Sequence, residues 1–240
     1  MFNEVFLKTS DNESIAINHY FAERERVVII AHGWSMCKDA RPFRDMSKDF
    51  FKNYDVITMD FRGHGRSSGV YTFSAKETND IKSVIDFTRE KYSKVFLIGF
   101  SLGGALSIIH AAAYNNVDGL IAVSAPADFN KIENHFWRPE AFIQTIKKFN
   151  LGQKLKVRPG NIFLKKIKPV EIVANINIPS LFIAGEKDPT VYPWHTELLF
   201  TRATCKKAFE LFKNGYHAED LYLNSKDKFM NICEQWISQG

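Results

Sequence analysis

Apolar residues along the chain fall into two patterns, continuous runs and positions three or four apart. Continuous runs occur in "RVVIIAHGW" (26–34), "YDVITMDFRGHG" (54–65), "KVFLIGF" (94–100), "DGLIAVSAP" (118–126) and "IPSLFIAGEKD" (178–188). Each run is short, β-branched and closed by glycine or a turn residue, which predicts strands buried on both faces. Ahead of them, "VFLKTS" and "ESIAINHYF" flank the polar "DNES" and predict a hairpin. The helical spacing appears from Ile81 through Val84, Ile85 and Phe87 toward Tyr92, and again from Glu219 to Ile237. "SLGGALSIIHAAAY" (101–114) is a small-residue segment that reads as a closely packed helix. Strands alternating with helices imply an α/β domain with a mostly parallel central sheet and helices on both faces.

One region breaks the rhythm. Residues 128–168 carry Phe136, Trp137, Phe142, Ile143, Ile146 and Phe149 without a clear buried strand. They are expected to form a small, mainly helical cap inserted into a single core domain made of 1–127 and 169–240. The segment is too short to hold much core of its own.

With 240 residues, 45% of them apolar and 25% charged, the chain can bury a sizeable core. No apolar stretch approaches the roughly 20 residues that span a bilayer, so no transmembrane segment is expected. "MFNEVFLKTSDNES" lacks the basic start and apolar run of a secretory leader. Cys37, Cys205 and Cys233 are widely spaced and match no metal-ligand pattern. They fit a reducing, cytoplasmic setting. The formal charge of +5 is unevenly placed, because between Lys131 and Lys168 ten Lys/Arg face only Glu133 and Glu140. That stretch carries about +8 and leaves about −3 for the rest. Without a nucleic-acid motif, it reads as a solvated basic face, or as a basic lid favouring acidic substrates or an anionic membrane surface, not as a nucleic-acid surface.

The candidate chemistry centres on "GFSLGG" (99–104), where Ser101 follows a buried strand and opens a helix. A serine on so sharp a turn crowds the residues two before and two after it, and Gly99 and Gly103 stand there. The helix that follows aims backbone N–H groups at the serine oxygen. A serine nucleophile needs a base, and the base needs an orienting acid. Of seven histidines, His217 in "NGYHAED" lies in a loop before the last helix. His110 lies within a helix, His32 is expected to brace the loop it begins, and His64 to hold a glycine-rich turn. His195, beside Trp194, could line the site. For the acid, Asp188 in "GEKDPTV" follows a buried strand, with Glu186 and Asp128 as rivals.

"AHGW", "DFRGHGRSSG", "GFSLGG", "GEKDPTV" and "GYHAED" stand in the order found in α/β-hydrolases, and the chain resembles that superfamily over nearly its whole length. It is most similar in style to small bacterial carboxylesterases of the cinnamoyl- or feruloyl-esterase kind, and to the serine-aminopeptidase-like and monoacylglycerol-lipase-like branches. The resemblance implies Ser101, Asp188 and His217 as nucleophile, acid and base. Leu102, after the nucleophile, and Trp34, after His-Gly, become the oxyanion donors. It implies no metal and no cofactor. The expected activity is hydrolysis of small-molecule carboxylic esters through an acyl-enzyme, with small to medium acyl or aromatic-acid groups. Trp34, Phe136, Trp137, Phe142 and His195 are the candidate pocket residues. Amide cleavage, lysophospholipid or monoacylglycerol hydrolysis, acyl transfer and a non-catalytic ligand-binding role are the alternatives. Oligomeric state leaves no mark on the sequence.

Overall fold

The computed structural model describes residues 2–132, 157–161 and 163–240. Eight strands form one sheet: β1 Phe2–Lys8, β2 Ser14–Tyr20, β3 Arg26–Ala31, β4 Asp55–Met59, β5 Lys94–Phe100, β6 Gly119–Val123, β7 Ser180–Gly185 and β8 Lys207–Phe212. Their order is β1-β2-β4-β3-β5-β6-β7-β8. The β1–β2 hairpin and the β2–β4 pair are antiparallel, and every other pairing is parallel.

Alternation along the buried strands divides the core into two layers. Val27, Ile29 and Ala31 of β3 face one layer, with Ile81, Val84 and Ile85 of α2 (Thr78–Arg89) and Leu106 and Ile108 of α3 (Leu102–Tyr114). Val28 and Ile30 face the other, with Phe43, Met46 and Phe50 of α1 (Arg41–Phe50) and Phe229, Cys233 and Ile237 near the C-terminus. A strand covered on both sides has no polar face, which explains the unbroken apolar runs. Leu199 of α4 (Pro193–Arg202) packs on the first layer.

Three details depart from the pattern reading. The expected closing helix is two helices, α5 (Asp220–Asn224) and α6 (Lys226–Ser238), with Ser225 between them in a non-helical conformation. β8 and α1 carry no unbroken apolar run. β8 is an edge strand with only Phe212 fully buried, so its sequence lacks the signature of its neighbours. α1 starts on Arg41 and Pro42, within a stretch rich in charge.

The strand order fixes where a site can form. The chain leaves β3 to build β4 on one side, then returns to lay β5 on the other side of β3. Loops after β3 and β5 therefore diverge, and the crevice between them lies at the carboxyl ends of the strands, the usual place for a ligand in such sheets. Gly33 and Ser101 stand at those two ends. Among the described residues, no helix is long and apolar enough to cross a membrane.

Candidate active site

Ser101 separates β5 from α3 in a conformation that L-residues rarely hold, φ 52° and ψ −115°. Such a residue persists only where its surroundings over-determine it. Here Ser101 N–H donates to Val123 O at 2.8 Å, and its carbonyl accepts from Ala105 N at 3.0 Å. The two glycines are needed for space. A side chain at Gly99 would run into the Gly103 carbonyl and Ser107 Oγ, and one at Gly103 into the carbonyls of Ala31 and His32.

His217 and Asp188 arrive on the loops after β8 and β7. These loops are stitched by Lys187 N–H to Gly215 O (2.8 Å) and Glu186 N–H to Phe212 O (3.0 Å). Gly185 lets them approach, since the carbonyls of Gly215 and Tyr216 occupy the space a side chain would take. His217 Nδ1 lies 2.7 Å from Asp188 Oδ2, and His217 Nε2 lies 2.9 Å from Ser101 Oγ. Asp188 is buried, and its Oδ1 accepts the N–H groups of Thr190 (2.8 Å) and Val191 (2.9 Å). A carboxylate so placed accepts from Nδ1–H, which leaves the Nε2 lone pair facing the serine hydroxyl. The rival acids are engaged elsewhere. Exposed Glu186 accepts from Asn214 N–H, and Asp128 accepts from Asn130 N–H and pairs with Lys168 at 3.0 Å.

Leu102 opens α3, so its N–H has no carbonyl one turn back within the helix. Trp34 follows Gly33, whose backbone lies so near Ser101 that a side chain there would sit 3.3 Å from Ser101 Cβ. Ser101, Leu102, Trp34 and His217 line one cavity of about 470 Å³. Its walls are largely apolar, with Met36, Tyr71, Phe73, Phe129, Ile132 and Val191, and two charged side chains, Lys166 and Glu219, border it. These wall residues were not marked by the sequence. Phe129, Ile132 and Lys166 belong to the rhythm-breaking segment, whereas Tyr71 and Phe73 follow a glycine-rich turn without any strand pattern. Glu219, two residues beyond His217, could have been found by asking what else its loop carries.

His195 does not line the cavity. It is fully buried, its Nδ1 accepts from Ala127 N–H at 3.1 Å, and its Nε2 faces Lys131 O at 3.2 Å. The position after Trp194 turns it inward from α4, where it orders the chain leading to Phe129 and Ile132. Phe136, Trp137 and Phe142 lie outside the described residues. His32 and His64 are buried around the loop after β3, and burial pushes them down to about 3 and about 4 respectively. His32 Nδ1–H donates to Gly33 O at 2.7 Å while its Nε2 accepts from Phe61 N–H at 3.2 Å. A peptide's carbonyl and N–H point in opposite directions in one plane, so a bond on Gly33 O also sets the direction of Trp34 N–H.

The chain is similar to an uncharacterised Bacillus subtilis protein, YqkD, at 25% identity over 221 residues, 88% of this chain and 70% of that protein. It is 26% identical over 194 residues to the α/β-hydrolase domain-containing protein WAV2 of Arabidopsis thaliana, covering 77% of this chain and 61% of that one. It is 24% identical over 217 residues to the human serine hydrolase BPHL, covering 78% and 70%. Among solved structures, the Pyrococcus furiosus esterase Pf2001 superposes with a TM-score of 0.81 at 21% identity, over 100% of this chain and 91% of that one. The esterase RhEst1 from Rhodococcus superposes with 0.80 at 19% identity, over 98% of each. At such identities these structures show the shared α/β-hydrolase fold. The family model of the serine aminopeptidases, S33, matches residues 22–158, more than half the chain and the part that holds Trp34, Gly99, Ser101 and Leu102, and the chain belongs to that hydrolase family.

Proposed function

We propose that the chain is a serine carboxylic-ester hydrolase working through an acyl-enzyme. The observation that carries this reading is the hydrogen-bonded line from Asp188 through His217 to Ser101, ending in the wall of a cavity. Ser101 Oγ attacks the ester carbonyl while His217 Nε2 takes its proton, and Asp188 steadies the resulting imidazolium. The N–H groups of Leu102 and Trp34 receive the oxyanion. His217 then returns the proton to the leaving alcohol, and water repeats the sequence to free the acid. The apolar walls suit a small to medium acyl chain or an aromatic acid.

Residues 128–168 are read as a cap over this cavity. Its two ends are joined by the Asp128–Lys168 pair and by Val170 N–H to Ala127 O at 3.0 Å, so the segment leaves the core and rejoins it at one place. The free, widely spaced cysteines support a reducing compartment.

Glu219 favours a second reading. A carboxylate bordering the cavity could hold a substrate amine, as cleavage of aminoacyl groups would require. The test is release of nitrophenol from acetate, butyrate, octanoate and decanoate esters, alongside aminoacyl nitroanilides, by wild type and Ser101→Ala. Loss of the nucleophile is expected to lower kcat by about 10⁴–10⁶. Preference for nitroanilides would favour the second reading, and an inert wild type would leave a ligand-binding protein.

A further inference from the structure

His64 takes no part in the proton transfers proposed above, yet it is buried against the loop that carries Trp34. Its Nε2 accepts the Ser35 N–H at 3.3 Å, and its Nδ1 faces the Arg62 carbonyl at 3.1 Å. A carbonyl can only accept and an amide N–H can only donate, so these partners together demand the neutral ring with its proton on Nδ1. The Arg62 carbonyl is itself fixed, because the Gly63 N–H of the same peptide donates to Ser68 O at 3.0 Å and the Arg62 guanidinium is clamped between Asp11 and Asp80. The rings of His32 and Tyr71 lie 5.2 and 5.0 Å away and keep the imidazole in place.

The residue that His64 grips is under backbone strain. Ser35 has φ 61°, in the left-handed region, and it is not glycine. Without an external bond, Ser35 gains by returning to the ordinary region, and this rotates the peptide that joins it to Trp34. We propose that His64 is a positioning residue for the reaction: by holding the Ser35 N–H it keeps the turn after Gly33 in the shape that aims Trp34 N–H at the oxyanion. This rests on the serine-hydrolase reading and on Trp34 as an oxyanion donor. His32 fixes the peptide on one side of Trp34 and His64 the peptide on the other. Tyr71 links the grip to the cavity, since it lines the wall, packs on His64, and exchanges two 2.7 Å backbone bonds with Arg158 and Gly160.

The test compares His64→Gln, His64→Asn and His64→Leu for kcat and KM on nitrophenyl butyrate, below the melting temperature of each variant. Gln carries an oxygen about where Nε2 lies, whereas the Asn amide reaches only as far as Nδ1, and Leu offers no acceptor. Loss of one oxyanion donor costs about 10²–10³ in rate and a misaligned one costs less, so Leu and Asn are expected to lower kcat by about 10–100-fold. KM should stay within about threefold, because the donor acts on the transition state. Gln should recover most of the loss. Equal losses in all three variants, or a change in KM alone, would overturn the proposal, as would an unchanged kcat in the Leu variant. Amide hydrogen exchange at Ser35 gives a readout that needs no substrate. Protection in wild type and Gln but not in Leu supports the grip even if no ester is cleaved, and an open Ser35 amide in wild type refutes it. An inert wild type with a protected Ser35 would thus sink the esterase reading while leaving the grip standing.

Discussion

Replacing Asp188 by Asn tests the proposed chemistry with almost no change in shape. Oδ1 accepts two backbone N–H bonds, from Thr190 at 2.8 Å and Val191 at 2.9 Å. In the variant the amide must turn its oxygen toward those donors, because an NH₂ group there would face two N–H groups. The NH₂ is then left 2.7 Å from His217 Nδ1, where it donates. Nδ1 must accept, so the ring proton moves to Nε2, which faces Ser101 at 2.9 Å with a hydrogen instead of a lone pair. A base in that tautomer cannot take the serine proton. An acid-to-amide change of this kind in a Ser-His-Asp site lowers kcat by about 10⁴, or about 5.5 kcal/mol of activation free energy. Initial rates on nitrophenyl butyrate at neutral pH, with thermal melts to show that the fold is intact, make the measurement. Glu186→Gln is the control, since Glu186 is exposed and bonded to Asn214 N–H, and it should leave kcat within about twofold. If folded Asp188→Asn keeps kcat within about tenfold of wild type, Asp188 does not orient the base and the reasoning fails.

Three further outcomes follow from the packing. Gly103→Ala places a methyl group against the carbonyls of Ala31 and His32, a backbone overlap that side chains cannot relieve. Thermal or urea denaturation should show a loss of about 3 kcal/mol or more, and a loss below about 1 would mean the elbow has slack. Arg62→Met removes the cation that pairs with Asp80, a carboxyl with no exposed surface that burial already raises to about 7. Asp80 must then take up a proton or stay buried uncompensated, and stability should drop by about 3–5 kcal/mol. Replacing Asp80 by Asn in the Met background should recover part of it, and no recovery would show that the loss came from packing. His110 is fully buried, and burial pushes it down to about 4. The unfolded chain takes up a proton near 6.5 that the folded chain refuses, so this residue removes about 2 kcal/mol of stability as the pH falls from 7 to 5. Other buried groups titrate with the opposite sign, Asp60 among them, which burial raises to about 6. The contribution of His110 is therefore read as the difference from His110→Gln, whose urea midpoint should shift less between pH 7 and 5. Equal shifts would show that His110 is protonated in the folded protein.

The parts of the fold that could be read from the sequence are those whose surroundings are uniform. β3, β5, β6 and β7 are buried on both faces, so beyond the Arg26, Lys94 and Ser180 that open three of them every residue is apolar or glycine whichever way it points, and the run stands out. β8 sits at the sheet's edge with mostly half-buried residues, and Lys207 and Glu210 interrupt its pattern. The site follows the same logic. Ser101 and its glycines are marked by a local steric demand, the crowding of one turn, which is written within five residues. Asp188 lies just beyond a strand end and His217 ahead of a helix, but only the resemblance to α/β-hydrolases singles them out from Glu186, Asp128 and the other histidines. The error over His195 has the same root. Adjacency to Trp194 says nothing about which side of α4 faces the cavity, and the bond to Ala127 N–H turns the ring inward.

The proposed reacting groups and the groups that would choose a substrate differ in how the chain encodes them. Each reacting group is set by its own loop, at the end of a strand whose place in the sheet is fixed by burial. The cavity wall has no such anchor. Tyr71 and Phe73 leave the glycine-rich turn after β4, Phe129 and Ile132 leave β6, and Lys166 precedes the return to the core. They meet because Arg158 and Gly160 pair with Tyr71 across some ninety residues of chain, and because His195 holds the segment at Ala127 and Lys131. Neither contact leaves a periodic trace, since one is a single bridge between irregular segments and the other a side chain on a loop carbonyl. Changes at Tyr71, Phe73 or Phe129 can therefore alter the acyl group accepted while leaving the Asp188–His217–Ser101 line as it is. That separation lets one set of motifs serve many substrates, and it is why the sequence names a reaction far more sharply than it names what reacts.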